Sequence, residues 1–114
     1  MKLRLHGSTL RLRLGEADVA RFRDTGRVER AIAFGAEPGA SLVYVLESSA
    51  DAQHVGATFA DGRITVRIPQ PLAHEWATGD DVSLAAEQPL GDGVPALRIL
   101  IEKDLPCEPG HGQR

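Results

Sequence analysis

The chain contains little cysteine, few aromatic residues and no long apolar run. Its 114 residues include one cysteine, Cys107, so no internal disulfide can form and a disulfide-stapled secreted scaffold is excluded. Aromatic residues make up 4% of the chain, which counts against a nucleic-acid surface. No apolar run approaches the roughly 18 residues of a membrane span, and no signal-peptide core opens the chain. We therefore expect a soluble, cytoplasmic protein without a membrane anchor.

The sequence also lacks the short motifs that mark common enzyme sites. It has no nucleophile elbow, no phosphate-binding loop and no H-E-x-x-H zinc motif. Ser48 and Ser49 lie near His54 in sequence, but their segment is typical of a turn with local hydrogen bonds. We expect no enzymatic activity, a single domain at residues 1–105, and a flexible tail at 106–114.

Two segments of the chain, 54 positions apart, carry the same apolar pattern. Their aligned pairs are Leu10 with Ile64, Leu12 with Val66, Leu14 with Ile68, Phe22 with Trp76, and Val28 with Val82. Each segment has a period-two strand, a break, about eight residues of helical character and another strand. The pattern predicts an internal duplication into two β-β-α-β-β repeats, at about residues 2–49 and 54–104.

These repeats predict a mainly β fold of the α+β class. We expect a small β-barrel with about eight strands and two short helices, related by a pseudo-two-fold axis. Gly7-Ser8 and Asp61-Gly62 are predicted hairpin turns, and Pro71 suits a first helical turn. Phe22 and Trp76 occupy equivalent helix positions and are predicted core anchors.

The second repeat contains a specific order of short motifs. The segment ITVRIPQPLAHEWATGDDVSL runs from a strand through Ile-Pro and a short helix into Gly-Asp-x-Val, and its key positions are Ile68, Pro69, Leu72, Gly79, Asp80 and Val82. This order resembles the swapped-hairpin, AbrB-like DNA-binding domains. The resemblance implies an interlocked barrel, usually shared by two chains and formed here by one chain as a monomeric pseudo-dimer. The first repeat differs, because it has Leu14-Gly15 in place of Ile-Pro.

A second resemblance covers most of the chain. The segments EWATGDDVSL and IEKDLPC, within a likeness that runs from Met1 to about Cys107, are similar to a family of small bacterial proteins of uncharacterised role. This resemblance implies no activity and no site residues.

Charge is distributed unevenly along the chain. The formal net charge is -3, yet residues 1–34 carry eight Lys or Arg and four Asp or Glu, which gives this part +4 and the remainder -7. One interpretation is that the two halves neutralise each other within the fold. The other is a polarised surface that attracts an anionic partner.

The first hairpin places cations opposite cations, which destabilises a sheet. Folding at Gly7-Ser8 pairs four basic residues, here called the basic face, in two rows: Lys2 with Arg13, and Arg4 with Arg11. The equivalent positions of the second repeat are Gly56, Arg67, Thr58 and Thr65. The fold therefore does not itself require the cations.

Several functions fit the basic face. We predict a binding module whose basic face contacts an acidic protein or a small anion, since guanidinium groups grip phosphates and carboxylates in pairs. Alternatively, Glu47, Glu87 or Glu102 on neighbouring strands forms an ion-pair lattice with the arginines. An AbrB-like regulator would use Arg4, Arg11, Arg13 and Arg63 as phosphate contacts. We rank nucleic acid below the acidic partner, because a nucleic-acid footprint normally shows a basic excess.

The tail DLPCEPGHGQR offers a metal-binding alternative. Cys107 and His111 form a C-x3-H pair, which His6, His54 or His74 would have to complete into a site. A loose Gly- and Pro-rich terminus is the simpler interpretation. A metal ion at this tail is the one cofactor that the sequence suggests.

Overall fold

The computed structural model describes residues 1–104 as two four-stranded sheets with two helices. In chain order the elements are β1 (Lys2–His6), β2 (Thr9–Leu14), α1 (Glu16–Thr25), β3 (Arg27–Ala33), β4 (Ser41–Ser49), β5 (Gly56–Ala60), β6 (Arg63–Pro69), α2 (Gln70–Thr78), β7 (Ser83–Gln88) and β8 (Leu97–Lys103). This is the predicted element order, and the class is mixed α+β with mostly strands. Neither helix of this part of the chain has the length and apolar character needed to cross a bilayer.

Each sheet combines one hairpin from the first half of the chain with one hairpin from the second half. The first sheet has the order β1-β2-β8-β7, and the second sheet has the order β3-β4-β6-β5. The two central pairs, β2 with β8 and β4 with β6, are parallel, whereas the outer pairs are antiparallel. The predicted closed barrel is wrong, because within residues 1–104 no backbone ladder joins an edge strand of one sheet to the other sheet.

The core lies between the facing sides of the two sheets and beneath the helices. Its fully buried side chains come from both sheets: Leu12, Leu14, Val28, Leu46, Val66, Ile68, Ile99 and Ile101. Phe22 in α1 and Trp76 in α2 are each 2% exposed, and their rings meet edge to face with centroids 6.1 Å apart. The predicted role of these two residues as core anchors is confirmed.

Glycine is required at the end of both helices, for different reasons. Gly26 has φ +77° and donates its N–H to the carbonyl of Phe22 at 2.8 Å, which ends α1 in the left-handed region. Gly79 is extended, but a β-carbon there would lie 2.8 Å from the carbonyl oxygen of Glu75. The predicted hairpin turn at Asp61-Gly62 is also present, with φ +54° and +73°.

A buried carboxylate ties α1 to β3. Asp18 is 8% exposed and forms ion pairs with the Arg30 guanidinium and with the terminal ammonium of Met1. Burial alone would raise the pKa of Asp18, but the ammonium and the Arg30 guanidinium outweigh it and hold this pKa below its usual value. The ionised carboxylate is therefore the form that the fold stabilises.

One side-chain amide links the two sheets at the edges formed by β5 and β7. The Gln88 amide nitrogen donates to the carbonyl of Ala57 at 3.1 Å, and its oxygen accepts the Ala57 N–H at 2.6 Å. Gln88 thereby satisfies both backbone groups of one residue on an edge strand, as a neighbouring strand would.

Replacing Gln88 with alanine should lower the free energy of unfolding by about 1 kcal/mol, because both Ala57 bonds are lost. Urea denaturation followed by circular dichroism measures this change. Gln53→Ala, at an exposed loop position, is the matched control and should stay within about 0.5 kcal/mol of the wild type. Equal unfolding midpoints for the two variants would contradict the proposed link between sheets.

Candidate functional site

The first hairpin has the predicted register. Lys2 lies opposite Arg13 and Arg4 lies opposite Arg11 across β1 and β2. Because β8 runs parallel to β2 on its other side, the rows of the basic face continue onto β8. Thr9 lies opposite Arg98, Arg11 opposite Leu100, and Arg13 opposite Glu102. Residues at opposite positions share a face of the sheet, so β8 contributes one further cation and one acid.

Carboxylates from the C-terminal end of the described chain pair with part of the basic face. Asp104 lies 3.0 Å from Arg13 and 3.4 Å from Lys2. Glu102 lies 3.3 Å from the Nε atom of Arg11, yet that buried nitrogen donates no hydrogen bond within residues 1–104. Lys2 and Arg13 thus share a single acid, which leaves one positive charge in excess, and the buried Nε atom of Arg13, like that of Arg11, donates no hydrogen bond within residues 1–104.

Two arginines on this outer face of the first sheet have no acidic partner in the described part of the chain. Among residues 1–104, neither Arg4 nor Arg98 forms an ion pair, and both side chains are exposed. Glu87 lies opposite Arg98 in the register of β7 and β8, but no ion pair joins them. The predicted ion-pair lattice is therefore incomplete: Glu102 belongs to it, Glu87 does not, and Glu47 lies on the other sheet.

The unpaired arginines face a surface groove of about 660 Å³, here called the cationic groove. Its lining residues come from β1, β2 and β8: Arg4, Leu5, His6, Thr9, Arg11, Arg98 and Leu100. The volume lies in the range of small-molecule sites, roughly 300–1,000 Å³. Three guanidinium groups beside an imidazole provide N–H donors for a carboxylate or a phosphate.

The outer face of the second sheet provides a contrast, because its arginines are paired. Arg27 lies 2.7 Å from Glu29, Arg67 lies 2.7 Å from Glu47, and Arg63 lies 3.3 Å from Glu29. The hydrogen bond from Arg63, helped by Arg27, holds the pKa of Glu29 below its usual value despite some desolvation. The two outer faces therefore differ in charge balance as well as in sequence.

An apolar opening lies between the inner faces of the two sheets, near the first residues of β2 and β6. Its volume is about 480 Å³, and its main apolar lining residues are Leu5, Leu10, Leu42, Phe59, Ile64, Leu90 and Leu97. Phe59 is 70% exposed and Leu5 is 59% exposed. Leu5 lines both this apolar opening and the cationic groove, so the two surfaces meet at β1.

The predicted metal site cannot be placed, because Cys107 and His111 lie outside the described residues. In the part of the chain that the structure describes, no group of three or more His, Cys, Asp or Glu side chains is arranged to hold a metal ion. Metal binding at the tail stays a prediction.

Sequence reasoning missed Arg98 as a member of the groove and Asp104 as a partner of the basic face. Both residues belong to the segment around β8, whose contact with β2 joins opposite ends of the chain. The repeat alignment equates β8 with β4, but it does not say which strand β8 pairs with. Both residues could have been assigned to this face only if the strand order of the first sheet had been known.

The fold and the groove define a small two-sheet α+β protein with a cationic groove on one outer face. A family model described as a family of unknown function, DUF7009, matches residues 1–110, and the chain belongs to this family. The expectation of an uncharacterised family is confirmed. No curated protein and no solved structure matches the chain.

Proposed function

We propose that the protein is a non-enzymatic binding module whose cationic groove takes an anionic or acidic partner. One observation carries the proposal: Arg4 and Arg98 face the same groove, and neither has a carboxylate partner within residues 1–104. The arginines of the second sheet's outer face are all paired. An anion in the groove would pair with these arginines, as carboxylates already pair with the arginines of the second sheet.

Electrostatics supports binding at this place despite the net negative charge of the chain. Directly opposed like charges such as Arg4 and Arg11 destabilise a hairpin. A ligand that neutralises them binds the folded state alone and therefore stabilises it. The cationic groove brings Arg4, Arg11 and Arg98 together, and a local patch of positive charge attracts an anionic partner even on a chain of net negative charge.

A titration with labelled oligoglutamate, followed by fluorescence polarisation at low ionic strength, tests this proposal. We expect the double variant Arg4→Gln/Arg98→Gln to bind at least roughly tenfold more weakly, since two charge-assisted hydrogen bonds are lost. The control, Arg63→Gln/Arg67→Gln, makes the same change of net charge on the second sheet. It should leave the affinity almost unchanged. Equal losses in both variants, or no binding by the wild type, would overturn the groove as the binding site.

The finer architecture that we propose is a duplicated, swapped-hairpin fold. Each sheet contains one hairpin from residues 2–49 and one from residues 54–104, which supports an exchange of hairpins between two equivalent halves. On this proposal a single chain supplies both halves, and the protein is a monomer.

The same architecture supports an AbrB-like DNA-binding regulator as the second candidate. Arg4, Arg11 and Arg98 would then contact phosphates, whereas Arg63 lies on the other sheet beside Glu29. Titration with random duplex DNA distinguishes the two candidates. Binding whose affinity falls steeply with salt would favour the regulator, and the absence of binding would exclude it.

A further inference from the structure

β1 is an edge strand with cations on one side and apolar residues on the other. Lys2 and Arg4 belong to the outer face of the first sheet, and Leu3 and Leu5 alternate with them on the inner face. Within residues 1–104, the backbone of β1 hydrogen-bonds to no element other than β2. The backbone groups of β1 that point away from β2 are therefore available to a further strand.

Two of the other three edge strands are partly occupied by side chains. Gln88 bonds both backbone groups of Ala57 on β5. On β3, the Arg30 side chain donates to the carbonyl of Glu29 at 2.8 Å, and the backbone N–H of Arg27 donates to the hydroxyl oxygen of Thr25 at 3.3 Å.

β7 differs from β1 in charge. The outer face of β7 carries Ser83, Ala85 and Glu87, so its only charged side chain is acidic. β1 thus combines an unoccupied edge with positive charge. This combination favours the binding of a strand that carries acidic side chains.

We propose that an extended acidic segment of a partner protein adds to the first sheet as a fifth strand along β1. The proposal rests on the proposed function and specifies the form of its partner. Opposite residues on neighbouring strands lie about 4.5–5.5 Å apart, so alternate acidic side chains of the segment reach Lys2 and Arg4. The intervening side chains lie beside Leu3, which is partly buried, and Leu5, which is 59% exposed, so that apolar residues there cover the surface of Leu5 that water now contacts.

The charge pattern of β1 favours this occupant over a second copy of the chain. Pairing two copies of β1 would bring Lys2 and Arg4 of one chain beside cations of the other, and like charges across strands are destabilising. A partner strand with alternating acidic and apolar residues has the opposite charge on the outer face. Backbone bonds would supply affinity, and the two sets of side chains would supply specificity.

The alternation makes the mode of binding testable with modified peptides. In a strand, the N–H groups of successive residues point to opposite edges. A short blocked peptide that alternates glutamate and valine therefore has one set of N–H groups directed at β1 and another directed at solvent. N-methylation of all glutamates blocks one set, and N-methylation of all valines blocks the other.

Isothermal titration of the full chain with these three peptides gives the decisive comparison. Strand addition predicts that one methylated peptide binds at least roughly tenfold more weakly than the unmodified peptide and that the other binds about as well. Equal affinities for the two methylated peptides would overturn strand addition, because side-chain contacts alone do not distinguish the two backbone edges.

Three further outcomes test this inference and the proposed function together. Binding of oligoglutamate without binding of the alternating peptide would overturn strand addition and leave the acidic-partner function in place. Failure of both to bind would overturn both proposals. Concentration-dependent self-association that Arg4→Gln strengthens, because it removes repulsion between two β1 strands, would instead identify a second copy of the chain as the occupant of β1.

Discussion

Replacing Trp76 with alanine is expected to lower the free energy of unfolding by about 3–5 kcal/mol, the range of large-to-small changes at buried aromatic positions. Trp76 is 2% exposed and packs edge to face with Phe22. Its indole N–H donates to the carbonyl of Val82 at 3.4 Å. The Lys103 ammonium lies 5.2 Å from its ring centroid. Alanine would remove all three contacts and leave a cavity between α1 and α2.

Phe59→Ala is the matched control for Trp76→Ala. Phe59 is 70% exposed at the apolar opening, so its truncation should cost well under about 1 kcal/mol. Trp76 is the only tryptophan, so its variant has no tryptophan fluorescence and unfolding must be followed by far-ultraviolet circular dichroism in urea. Similar unfolding midpoints for the two variants would show that Trp76 does not anchor the core.

Replacing Asp18 with asparagine should lower stability at neutral pH by about 2–3 kcal/mol, because charged hydrogen bonds at a buried site are lost. The effect should depend on pH in a defined direction. Since the folded-state pKa of Asp18 lies below its usual value, its contribution is fully present above the usual pKa. It is lost as the pH falls through the lowered folded-state value. The wild type and the variant should therefore converge in acid.

Unfolding free energies measured from neutral pH down to strongly acidic pH test this prediction. Asp24→Asn is the control on the same helix, because the Asp24 side chain is 64% exposed and, among residues 1–104, pairs only with its neighbour Arg23. Exposed pairs of this kind contribute little, so this variant should follow the wild-type curve. A constant difference between wild type and Asp18→Asn at every pH would contradict the role assigned to the ionised carboxylate.

Local features of the fold could be predicted because apolar periodicity and turn residues determine them. Period-two alternation gave the strands on either side of Gly7-Ser8 and Asp61-Gly62, and the Gly7-Ser8 turn fixed the register of Arg4 with Arg11. Phe22 and Trp76 could be assigned to the core because each is the large apolar side chain of a short helix that must bury one face.

Long-range features of the fold could not be predicted. Whether eight strands close into a barrel or stay as two sheets depends on pairing between distant segments, which alternation does not encode. The same limit applied to the site. The parallel pairing of β2 with β8 adds Arg98 to the groove and brings Asp104 to Lys2 and Arg13, and no local pattern marks that pairing.

The parallel pair of β2 and β8 also affects how the chain can fold during synthesis. Leu12 lies opposite Ile101, 89 positions later in the chain. While a ribosome is still making β8, β2 has one bare edge and Leu12 lacks part of its final cover. Such non-local pairing slows folding and produces intermediates whose exposed apolar surface makes them prone to aggregation. The first sheet therefore cannot be completed until β8 has emerged from the ribosome.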